Sequence, residues 1–231
     1  MSYYYIEYSR AIQLWKERYK MAQLSQENLN AMVKSMNDAI TNYENSVKTG
    51  EEDFKNQFNE IWVSNRSDSL VSEISTCVTE MAGDIGKYLA NLNDRLKTAV
   101  NNFNLVEDEN MTYSGFSCPT LAMDIKLNAS LPGTGNKRGV MRGTSLTDLQ
   151  KPMTTLQGEI NDSLMDIKNA AETADAFSEV EVSALVNGIE KVRSKFESSL
   201  EELADSLQSR LEGEDVVTIE GDKTNVENLN G

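Results

Sequence analysis

At 231 residues, 39% hydrophobic and 26% charged, the chain has globular composition and length enough for a sizeable core. Its 22 Lys plus Arg against 37 Asp plus Glu give a net charge of -15, which repels nucleic acid and anionic membrane surfaces, so neither is expected as a partner. Histidine is absent, which removes Ser-His and Cys-His chemistry and the commonest metal ligand; no catalysis, no cofactor and no metal site are expected.

The first residues, MSYYYIEYSRAIQLWKERYK, lack the basic start and apolar core of a secretory leader, and no run of about 18 apolar residues suggests a membrane span. Tyr3, Tyr4, Tyr5 and Tyr8 crowd this end together with Trp15. They form a candidate interaction patch, to be covered by the rest of the chain or by a partner.

From Ile12 apolar residues recur at steps of three and four, through Leu29, Val33, Met36, Ile40, Tyr43, Val47, Phe54 and Ile61. Such a stripe is a coiled-coil seam that needs another long helix. Helix is expected over 6–60, with a kink near 49, where Thr49 and Glu52 fit a capping box beside Gly50. A second stripe runs from Leu70 through Ile74, Val78, Ile85, Leu89, Leu92, Leu96 and Val100 to Phe103. The connection is short, so the two helices are expected side by side and antiparallel.

Residues 108–144 lose the period, with Pro and Gly throughout; they read as a connector with room for a small β-hairpin, suggested by the alternation in LAMDIKL. LPGTG at 131–135 matches a sortase pattern without the following apolar span, and TGNKRG lacks the spacing of a phosphate loop. Cys77 and Cys118 share no CxxC spacing and read as plain thiols, a disulfide joining them being the alternative. Over 145–212 two further stripes make a second helical hairpin, with regular helix expected from about 150 because of Pro152. Its turn carries a capping box, Ser178 with Glu181, and a hydrophobic staple, Phe177 with Val182. The acidic tail, 213–231, reads as disordered, although VVTIE has strand character. The expected fold is all-α: two long antiparallel helical hairpins, covering 1–107 and 145–212.

Between the first two stripes stands Trp62-Val63-Ser64, and the second ends on Phe103 and Glu107, which share one helix face. A helix, a bend bearing Trp-x-small, a second helix and a terminal aromatic–acidic pair resemble the WXG family of helical hairpins exported by type VII secretion systems. Serine stands where that family has glycine, and phenylalanine where it has tyrosine; the likeness covers the first half only. It implies export from a bacterial cytoplasm to the medium or cell surface without a leader, as a secreted substrate or the partner of an effector. Trp62, Ser64, Phe103 and Glu107 would then carry the export or partner-binding signal. The partner would be a helical protein: the secretion apparatus, an effector or a second copy. Two rivals remain: a helical pore-forming protein with residues 111–131 as its tongue, and an intracellular coiled-coil scaffold. For Trp62 itself, the alternative to a signal is simple packing at the bend.

Overall fold

The computed structural model describes residues 25–128, 130, 133, 135, 140–141, 146–173, 179–207, 209 and 217–218. Four helices dominate them: α1 (Gln26–Ile61), α2 (Asn65–Glu107), α3 (Leu146–Glu172) and α4 (Glu179–Asp205). Three two-residue strands, β1 (Trp62–Val63), β2 (Val140–Met141) and β3 (Val217–Thr218), form one small sheet in the order β1-β2-β3. The fold is all-α.

α1 begins later than its stripe suggests. Ser25 has extended backbone and caps the helix, its hydroxyl accepting the Asn28 N–H at 3.1 Å, so the expected continuous helix from 6 does not pass through this point. The residues before it, including Tyr3, Tyr4, Tyr5, Tyr8 and Trp15, lie outside the described residues. No break occurs at Thr49 either. Gly50 is buried inside α1, where a Cβ would stand 2.8 Å from Leu156 Cδ1, so it serves close approach to α3 and not a bend. Pro152 likewise sits within α3, which starts at Leu146 and not near 150. The pyrrolidine is buried at that position. The proposed box and staple before α4 depend on Phe177 and Ser178, outside the described residues.

α1 and α2 run antiparallel, but not in direct side-by-side packing. The main helix contacts are α1 with α3, α3 with α4, and α4 with α2. α3 and α4 are antiparallel, as shown by bonds from Asn161 to Glu197 (2.7 Å) and from Lys168 to Glu190 (3.1 Å). α4 also runs against α2: Lys195 lies 3.7 Å from Glu80, and Gly188 faces the ring of Tyr88. The gap between α1 and α2 is filled by residues 111–128. This segment, called the strap below, lies extended, parallel to α1 and antiparallel to α2. At about 3.3 Å per residue it spans about 60 Å, enough to return from the end of α2 to the bend. It contributes Phe116, Met123 and Ile125 to a core that takes residues from all four helices, so both hairpins share one interior.

No β-hairpin forms among the described residues of the connector. Its one strand, β2, pairs antiparallel with the bend instead, Trp62 opposite Met141 and Val63 opposite Val140. β3 adds to β2 in parallel, so the strand character of VVTIE is realised at Val217–Thr218 within the expected tail.

Candidate interaction site

The reversal is built from local chemistry. Ser64 caps α2: its hydroxyl accepts the N–H groups of Arg66 and Ser67, both at 3.1 Å, while its own N–H donates to Ser67 Oγ at 2.7 Å. Glycine has no hydroxyl to do this, which explains a serine at that position. Trp62 is fully buried and ends a ladder of rings, Phe54 on Phe58 at 5.2 Å and Phe58 on Trp62 at 6.1 Å. Its indole Nε1 has no hydrogen-bond partner among the described residues. A partner therefore cannot touch the ring without opening the bend.

At the opposite end of α2 the side chains come outward. Phe103 is half-buried and Glu107, one turn on, is exposed. Between them Leu105 is 83% and Val106 55% exposed, and these are the exposed large hydrophobics among the described residues. Sequence spacing misses them because they fall off the buried stripe. The signal was available only as two apolar residues in succession after that stripe ends. Asp108 then turns the chain in the left-handed region, φ 54°.

The strap begins here, held chiefly by side chains reading its backbone. Three helix amides each grip both polar groups of one strap residue. Asn104 accepts the Met111 N–H at 3.0 Å and donates to its carbonyl at 2.7 Å. Gln26 does the same at Thr112, 2.7 and 2.9 Å, and Asn93 at Phe116, 3.1 and 2.8 Å. Asn93 also accepts the Tyr113 hydroxyl at 2.6 Å and donates to Cys118 Sγ at 3.0 Å. Further along, Asn37, Thr79, Ser75 and Asn59 accept the N–H groups of Ser117, Met123, Ile125 and Asn128. Over 121–127 the odd-numbered side chains face inward and the even-numbered ones are exposed. α2 comes close enough for this only because Gly86 has no side chain: a Cβ there would stand 2.7 Å from the Pro119 carbonyl oxygen.

Burial raises the Tyr113 hydroxyl above its ordinary range, with a smaller push from Cys118; burial, and then Glu44, does the same at Tyr43. Both cysteines are free; Cys77 is half-buried beside Ser199 and its thiol is pushed up mainly by burial, while Cys118 is exposed. Among the described residues no group of three His, Cys, Asp or Glu is placed to hold a metal, and no helix is long and apolar enough to cross a membrane. Between α2 and α4 a notch of about 560 Å³ carries Lys87, Lys191 and Lys195 beside Tyr88. Asp84, within 2.9 Å of Lys87 and 3.9 Å of Lys195, offsets one of those three charges.

Fold and site together define a helical bundle with an extended segment docked along one groove and an apolar helix end left open. No family model matches the chain, and no curated protein or solved structure matches it either.

Proposed function

We propose that this chain is a binding protein of type VII secretion, a secreted substrate or the targeting partner of an effector, acting by helix–helix association and not by catalysis. The observation in its favour is the open end of α2, where Leu105 and Val106 stand exposed between Phe103 and Glu107. Exposed apolar side chains on a helix end are suited to a partner helix laid alongside them. In this reading Phe103 and Glu107 carry recognition, and Trp62 with Ser64 sets the reversal that presents them.

The test is export of Phe103→Ala/Leu105→Asp and Glu107→Ala variants from a bacterium whose type VII system secretes the wild type. Secreted protein is expected to fall at least tenfold while circular dichroism and thermal unfolding stay near wild type. Undiminished export would remove the reading.

One observation favours a second reading, that of a membrane-active protein. Its tongue, 111–131, contains a strap whose side chains alternate inward and outward over 121–127, with the apolar ones against the helices. Liposome co-sedimentation decides between them: the secretion reading expects no binding.

A further inference from the structure

We propose that the groove between α1 and α2 is a docking site for an extended peptide, filled within one chain by residues 111–128 and able to take the same segment from a second copy. It goes beyond the secretion reading and does not depend on it.

Gln26, Asn93 and Asn104 each pair with the N–H and C=O of a single strap residue, the pattern one strand offers another. Such contacts require extended backbone and are indifferent to whether the chain arrives from the same molecule. Lifting the strap out breaks no helix or sheet ladder, and the freed amides return to water. Side-chain fit is supplied by Phe116, Met123 and Ile125 at inward positions.

The tethers decide which occupant and which arrangement. The strap joins α2 through residues 108–110, which reach roughly 10 Å extended, and joins β2 through 129–139, which reach roughly 36 Å. Two copies stacked end to end would need the second tether to cover two bundle lengths, far beyond that reach. Two copies side by side, related by a two-fold axis along the bundle with their grooves facing, satisfy both tethers. In that arrangement the two α2 ends lie together, and Leu105 and Val106, 83% and 55% exposed in a single chain, are covered at the pivot. A second copy is the partner that carries a strap already matched to this groove.

The experiment weakens the strap in cis while leaving the groove intact. A full-length Phe116→Ser/Ile125→Ser variant is titrated with a fluorescent synthetic peptide of residues 109–128, followed by anisotropy and thermal unfolding. Saturable one-to-one binding is expected, with a rise in Tm, and at least tenfold weaker binding by a peptide carrying the same two serines. If the variant does not fold alone, the wild-type peptide is expected to restore its helical signal. Absence of binding and of rescue overturns the proposal, as does equal binding by the doubly substituted peptide or by an unrelated amphipathic strand peptide. Sedimentation of the wild type, concentrated, warmed to its unfolding midpoint and cooled, is expected to show a dimer that persists on dilution. Monomer alone overturns the second-copy occupant.

Discussion

Trp62 matters to this molecule through what it fills. With the ring fully buried at the end of the Phe54–Phe58 ladder, Trp62→Ala is expected to cost about 3–5 kcal/mol in urea unfolding. Trp62→Phe should cost much less, because it also removes an indole N–H that has no partner among the described residues. Equal losses from the two would mean the indole contributes something other than volume. Tyr43 and Tyr113 contribute to the behaviour at high pH. Each would ionise near 10 in the unfolded chain and is raised above that when folded. Their contribution is therefore intact below about pH 10 and lost as pH rises beyond it, since the unfolded state releases the protons first. Absorbance titration near 295 nm should show late ionisation from Tyr43 and Tyr113, and Tyr113→Phe should remove its share of the late signal. At this scale sequence was informative about identity and weak about purpose: Gly50 read as a break because helix propensity is local, whereas its neighbour Leu156 is remote in the chain.

The helices were legible as elements because a buried stripe at steps of three and four leaves few alternatives. Their partners were not, since each stripe fits any other, and the chain pairs α1 with α3 and α2 with α4 across the hairpins. The strap was harder still. Its alternation in LAMDIKL suggests a strand, but its hydrogen bonds go to Asn, Gln, Ser and Thr on helices, from 7 positions away (Met111 to Asn104) to 86 (Thr112 to Gln26). Those polar residues read as a solvated helix face until the fold brings the strap over them. Gly86→Ala isolates this element. Alanine improves helix propensity by about 1 kcal/mol, yet its Cβ would meet the Pro119 carbonyl oxygen at 2.7 Å. The expected outcome is a lower Tm and faster amide exchange in 111–128 with α1 and α2 helicity retained. A stabilised variant would show that the strap yields there without cost.

For the whole molecule, one core joins both hairpins, and the strap closes the side where α1 and α2 stand apart. At the candidate recognition end, Phe103 and Glu107 were singled out by the family resemblance, and Leu105 and Val106 only by their exposure. Since the arrangement depends on an extended segment seated between two helices, the most direct measurement is hydrogen exchange of its amides in the native wild-type protein. Met111, Thr112, Phe116, Ser117, Met123, Ile125 and Asn128 all donate to helix side chains, so each is expected to exchange far more slowly than in an unstructured peptide, with Asn93→Ala selectively speeding Phe116. Exchange of these amides at the free-peptide rate, beside protected α1 and α2, would contradict the seated strap.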